Sequence, residues 1–272
     1  MLYCRKRGAL LQELIDCHMH SIHSRDSHAT MDEMCEAAID AGLRGICFTE
    51  HVDLDPHYYS YGSYDYAETM KDTARCREKY GDRLLIMAGV EITYITEYAD
   101  DVRRFLGEHN FDYVLGSIHL IDHVFVGSEE HFIGKTEQEA YEPYWQEMIA
   151  MMESGLIKRV GHMDYIKNHR PKEYGPFRLE RWENYITEIL HLIVENDATL
   201  EVNTSAIRRG FSEPYPGWEI LELYRAVGGK RVTIGSDAHR PGDVGAHFAD
   251  VSRRLDEMGL IVCGEEIFCC RV

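Results

Sequence analysis

The stretch DCHMHSIHSRDSHAT, residues 16–30, holds four histidines and two aspartates where an apolar run gives out. Soluble proteins seldom gather so many imidazoles and carboxylates at the end of a core strand. Alternate residues of a strand share a face, so His18 and His20 can approach one cation from the same side. The other strand ends decide whether this is a histidine-rich surface or the first part of a metal site.

Short apolar runs recur along the chain, with strand candidates at 12–18, 44–49, 84–91, 112–118, 157–162, 199–203 and 231–236. Beyond their C-terminal ends stand Glu50 and His51, Glu91, His119, His162 and Asp164, Glu201 and Asn203, then Asp237 and His239. Every candidate strand ends in a metal donor or a polar partner for one. Asp237 and His239 repeat the alternate spacing of His18 and His20.

Helical patterns separate these runs. Over 31–41 the apolar positions Met31, Met34, Cys35, Ala38 and Ile39 recur at helix spacing. Thr30 with Glu33 predicts a capping box before that helix, Gly42 a stop after it, and Thr136 with Glu139 a second box before a helix near 137–154. A third helix is expected over 179–195, with Trp182, Tyr185, Ile186, Ile189, Leu190 and Ile193 on one face. About seven strand–helix alternations imply an α/β protein with a parallel sheet under helices. No glycine-rich dinucleotide turn follows the first strand. One closed barrel-like domain over residues 1–272 is the simplest reading, with an open doubly wound sheet as the alternative. In a barrel the strand ends converge on one face, where chemistry is done.

Lysine and arginine number 29 against 47 aspartates and glutamates, a net charge of −18. That balance argues against nucleic acid or an anionic membrane as a partner. It would also repel a small anionic substrate unless bound cations reverse the local sign. The eight cysteines show no zinc-ribbon spacing and read as small buried hydrophobes, Cys269 and Cys270 included. With no long apolar run and no leader pattern, the expectation is a cytoplasmic protein with reduced thiols.

Imidazole with carboxylate suits Zn, Mn or Fe, and the donors outnumber the needs of one four-coordinate ion, so two or three divalent ions are expected. A glutamate on a central strand can bridge two of them. Glu50, Asp164 and Glu201 are alternatively groups that orient an imidazole. His57, His109, His123, His131, His169, His191 and His247 read as ordinary surface or core histidines, and His28, close after Asp26, either joins the site or only lines the loop.

Taken in order, DCHMH, RDSHAT, FTEH, GVE, GSIH, GHMD and GSDAH, spread over residues 16–239, resemble the PHP (polymerase and histidinol phosphatase) family. The resemblance implies a distorted seven-stranded (β/α)7 TIM-like barrel carrying up to three metal ions. It would put His18, His20, Glu91 and Asp237 on one ion, and His119 and His162 on a second that shares Glu91. A third would take Asp26, His51 and His239, and catalysis would rest on Glu91, Asp26, His51 and Asp237. Relatives often carry histidine where Asp26 stands and aspartate where Glu50 stands. The stretch LEVNTSAIRRGFSEPYP, residues 200–216, is similar to the histidinol-phosphatase branch.

The implied reaction is hydrolysis of histidinol phosphate in histidine biosynthesis, with another small phosphate ester or a nucleotide as the alternative. Phosphate monoesters need up to ~10²¹-fold acceleration, so positioning and charge neutralisation must supply most of it. Paired ions supply a hydroxide and stabilise the displaced oxygens. Arg209, Arg208 and Arg170 follow strand ends and are the candidate phosphate clamps, Arg209 first. Asp164 is a candidate acid for the leaving group. The loop DLDPHYYSYGSYDY, residues 53–66, is expected to wall the substrate or to pack on the rim. A non-catalytic metal module and an amidohydrolase-like barrel are rivals. The second often sets a lysine between its metals, and no lysine ends a strand here.

Overall fold

The computed structural model describes residues 11–268. In chain order the elements are β1 (Ile15–Met19), α1 (Met31–Asp40), β2 (Gly45–Asp53), α2 (Tyr66–Tyr80), β3 (Leu85–Thr93) and α3 (Ala99–Glu108). Then come β4 (Tyr113–Ser117), the hairpin β5 (Leu120–Ile121) with β6 (Val124–Phe125), α4 (Glu137–Glu153) and β7 (Arg159–Val160). The rest are α5 (Glu183–Glu195), β8 (Thr199–Asn203), α6 (Ser205–Arg208), α7 (Trp218–Ala226), β9 (Arg231–Gly235), α8 (Phe248–Glu257) and β10 (Ile261–Val262).

The main sheet runs β1-β2-β3-β4-β7-β8-β9-β10, with parallel pairing throughout. All seven expected strands are present in the expected order, and β10 is an addition. The sheet curls until β9 meets β1 at the mouth. There Asp237 N–H donates to His18 O and His20 N–H to Ala238 O, each at 2.8 Å. At the base, β10 takes the edge of β9 instead, pairing Ile261 with Arg231 and Val262 with Val232. The barrel is therefore closed at its mouth and distorted at its foot.

Alternation within the strands sorts the core. On β3, Ile86, Val90 and Ile92 face the helices, while Met87 joins Ile15, Cys17, Cys47, Tyr113, Leu115, Cys263 and Ile267 in a plug at the barrel's base. Toward the mouth the inward positions of the same strand become Glu91 and Thr93. On β1 the pairing register shifts between Asp16 and Met19. That irregularity re-aims the strand, so Cys17 belongs to the plug while His18 and His20 turn into the mouth.

Both capping boxes form, Thr30 with Glu33 and Thr136 with Glu139. Gly42 sits at φ +73°, the left-handed stop a glycine accepts. Residues 179–195 are not one helix: Leu179–Arg181 is a 3₁₀ turn and α5 starts after Trp182. Apolar spacing does not separate a tight lead-in turn from the helix that follows. The first and fifth strands are shorter than expected, because Leu11–Glu13 is a 3₁₀ turn and only Arg159–Val160 joins the ladder. Cys17, Cys35, Cys47 and Cys76 are free and buried, as expected, and Cys263 is buried; Cys4, Cys269 and Cys270 lie outside the described residues.

Candidate metal centre

The mouth gathers donors from β1, β2 and β3 and from the segments after β1, β4, β7 and β9. One set comprises His18 Nε2, His20 Nε2, Glu91 Oε2 and Asp237 Oδ1. The two nitrogens are 3.1 Å apart, Glu91 lies 3.3 and 3.6 Å from them, and Asp237 3.7 and 3.6 Å. A tetrahedral ion with bonds of about 2.0–2.1 Å needs donors about 3.3–3.4 Å apart, so the set fits. The other oxygen of Glu91 faces a second set. Its Oε1 is 3.4 Å from His119 Nε2 and 2.8 Å from His162 Nε2, and those nitrogens are 3.3 Å apart. A third set places Asp26 Oδ2 3.4 Å from His51 Nε2 and 3.2 Å from His239 Nε2. His51 also turns Nδ1 to Glu91 Oε2 at 3.0 Å, and the rings of His51 and His239 stack on His20.

The surrounding groups fix which ring nitrogen carries a proton. Glu201 Oε1 is 2.6 Å from His18 Nδ1, and a carboxylate there requires the N–H on that side. Ser24 donates its single proton to Glu50 Oε2 at 2.5 Å, so it must accept from His20 Nδ1, 3.1 Å away. Thr93 likewise donates to Asp53 Oδ1 at 2.5 Å and accepts from His119 Nδ1 at 2.9 Å. With both Nδ1 atoms committed as donors, the Nε2 atoms of His18 and His20 face each other at 3.1 Å, an arrangement that calls for a proton or a metal ion between them. Burial alone would lower the pKa of His18, yet the charges of Glu201, Glu91 and Asp237 raise it well above its usual value. For His20, burial and then the neighbouring His51 and His239 push it well below. Glu91 and Asp237 are buried, which favours the neutral acid, but the imidazoles around them hold both carboxyls well below the usual range. Both are ionised acids whose charge is answered by the imidazoles around them.

The backbone is shaped to permit this. A Cβ on Gly235 would sit 2.4 Å from Glu201 Oε1 and 2.5 Å from the Cβ of His18, so only glycine lets that pair form. Asp237 holds φ +54°, unfavourable for a side-chain-bearing residue. The turn is pinned by the Asp237 N–H bond to His18 O and by Arg208, which donates to Ser236 O at 2.7 Å and Asp237 O at 3.1 Å.

A cavity of about 260 Å³ opens over the donors. Tyr58, Tyr59, Phe125 and Tyr165 form aromatic walls, and Arg25 and Arg209 are its lining cations among the described residues. Arg209 lies over the Tyr165 ring at 5.9 Å. Of the expected clamps it alone reaches the cavity. Arg208 is committed to the Asp237 turn and to Asp243 at 3.2 Å. Arg170 is spent on its own loop, donating to Gly175 O at 2.6 Å and to Lys167 O. Asp164 is likewise no acid at the cavity: its Oδ2 takes Lys167 Nζ at 2.5 Å and Gly217 N–H at 2.9 Å. His28 is exposed and joins no donor set.

Several contributors escaped the sequence reading. Arg25 lies beside Asp26 and contacts Tyr59 by its backbone oxygen and ring, but an arginine in a loop carries no signal of its own. Ser24 and Thr93 act through a single hydroxyl, and small polar residues at strand ends are too common to single out. Glu50 orients His20, but through Ser24 and not by direct contact.

The chain matches the family model described as PHP domain over residues 16–205. Among curated proteins it is 29% identical to a probable histidinol-phosphatase of Clostridium acetobutylicum over 252 residues, covering 91% of this chain and 94% of that one. It is 26% identical to the histidinol-phosphatase of Lactococcus lactis, covering 83% and 84%. Among solved structures, a histidinol phosphate phosphatase from Lactococcus lactis, crystallised with zinc, L-histidinol and phosphate, superposes with a TM-score of 0.82 at 24% identity, over 92% of this chain and 95% of that one. The fold is thus shared with that enzyme.

Proposed function

This chain belongs to the PHP domain family, and from that premise we propose that it is a metal-dependent phosphatase hydrolysing histidinol phosphate to histidinol and phosphate. The observation that carries the reading is Glu91, whose two oxygens face two different donor sets at the floor of a cavity with a cation on its rim. The Clostridium acetobutylicum and Lactococcus lactis relatives, aligned over most of their length, are named for this activity.

His18, His20, Glu91 and Asp237 would hold one ion, Glu91 with His119 and His162 a second, and Asp26, His51 and His239 a third. Zn, Mn or Fe bound there would lower the pKa of water, to about 7 in zinc sites, and neutralise phosphate oxygens. Glu91 keeps two donor sets in one register. Arg209 would bind the phosphate, its guanidinium lying over the Tyr165 ring at 5.9 Å. Tyr58, Tyr59 and Phe125 offer flat apolar faces for an imidazole. The chain works in our reading as one domain, in the cytoplasm, without a nucleic-acid or membrane partner. Its charge of −18 supports the last point, and the free, buried thiols of Cys17, Cys35, Cys47 and Cys76 support the compartment. No described helix is long and apolar enough to cross a membrane.

The test is phosphate release from histidinol phosphate beside a panel of nucleotides and sugar phosphates. Chelator-stripped protein should be inactive and should recover with Zn²⁺, Mn²⁺ or Fe²⁺. Equal rates with and without ions would end the metal reading, and a preference for another ester would move the substrate to the alternative.

A further inference from the structure

Asp53 closes β2 at the edge of the cavity, 7% exposed, and is not a member of any donor set. Its two oxygens are engaged on opposite sides. Oδ1 accepts from Thr93 Oγ1 at 2.5 Å, and Thr93 in turn accepts from His119 Nδ1 at 2.9 Å. Oδ2 accepts from Ser60 Oγ at 2.5 Å. Ser60 belongs to the loop whose Tyr58 and Tyr59 wall the cavity. Thr93 and Ser60 are themselves buried, at 2% and 4% exposure, so water does not compete for these bonds.

A hydroxyl has one proton. With both protons committed to Asp53, the oxygen of Thr93 is an acceptor only, and His119 must carry its proton on Nδ1. The carboxylate thereby sets the tautomer of an imidazole it never touches. The same carboxylate anchors the loop that shapes the substrate side. The geometry points to Asp53 as a positioning residue that holds the His119 donor and the tyrosine wall in one register, through Thr93 on one side and Ser60 on the other. It rests on the reading of His119 as a metal donor.

The two arms are separable. Thr93→Val keeps the shape and removes the hydroxyl, leaving His119 Nδ1 without its acceptor. Loss of such an outer partner weakens metal binding by about 10–100-fold. Zn²⁺ titration of chelator-stripped protein against a chromophoric chelator should show that loss for one ion only, and Thr93→Ser should restore it. Ser60→Ala should bind Zn²⁺ as the wild type does and raise KM for histidinol phosphate several-fold with little change in kcat. Asp53→Asn should show both defects. Wild-type Zn²⁺ affinity for every ion in Thr93→Val, or an unmoved KM in Ser60→Ala, would overturn the inference. Wild-type protein that binds no Zn²⁺ would instead overturn the metal reading beneath it.

Discussion

At the scale of single residues, the site divides charged groups that face the cavity from those that hold the frame. Glu91 belongs to both classes, because its oxygens serve two donor sets from one side chain. Glu91→Ala should cost more activity than any arginine change and should release two ions, read by elemental analysis of the purified variant. Retained ion content and rate would remove the bridging role. The arginines should separate by what they touch. Arg209→Ala should raise KM with ion content intact, since its guanidinium lines the cavity. Arg208→Ala should instead loosen the ion held by Asp237, because Arg208 grips that residue's strained turn. The sequence places these two residues side by side and ranks Arg209 first, but gives Arg208 the same role. Their division of labour follows from where the end of α6 and the residue after it point each one, which no neighbouring residue reveals.

At the scale of elements, the mouth depends on how β1 and β9 meet. The pairing irregularity in β1 turns His18 and His20 inward after Cys17 has already faced the plug. Strict alternation along the strand would have sent one of these groups into the helix layer. On the other side of the seam, Gly235 leaves room for His18 and Glu201 to touch. Gly235→Ala puts a methyl 2.4 Å from Glu201 Oε1, so one partner must move. The expected outcome is weakened binding of the ion at His18 with the fold preserved, measured by Zn²⁺ competition beside far-UV circular dichroism. A variant with unchanged Zn²⁺ affinity would show that the seam tolerates displacement. The capping boxes of α1 and α4 were legible because their geometry is local, three residues apart in sequence. The break at Trp182 was not, because apolar spacing runs through it, nor was the extra strand β10, because a two-residue strand has no periodicity to detect.

At the scale of the whole molecule, the barrel concentrates acids and imidazoles that its sequence scatters from residue 18 to residue 239. Holding ionised acids and bare imidazole nitrogens together without an ion costs stability, and bound ions return it. An ion at a thousand times its Kd stabilises the fold by about 4 kcal/mol per site. Chelation should therefore lower Tm by many degrees, and restoring Zn²⁺ should reverse it, read by calorimetry on the same sample. Identical melting curves for stripped and loaded protein would mean that the donors do not act together. The overall charge of −18 adds to the expected gain, since each divalent ion relieves repulsion at the mouth.

The sequence by itself determined the strand order, the barrel class, the two local caps and the nine candidate metal donors. These are written in short-range patterns: apolar runs, their spacing, and the residue that follows each run. Only the tertiary structure decided that Arg209 faces the cavity while Arg208, Arg170 and Asp164 do not. It alone gave Ser24, Thr93 and Asp53 their parts, and it alone showed β10 wedging the barrel's foot. Those outcomes depend on contacts between segments far apart in the chain, where a side chain's direction is set by the partner it meets and not by its neighbours in sequence.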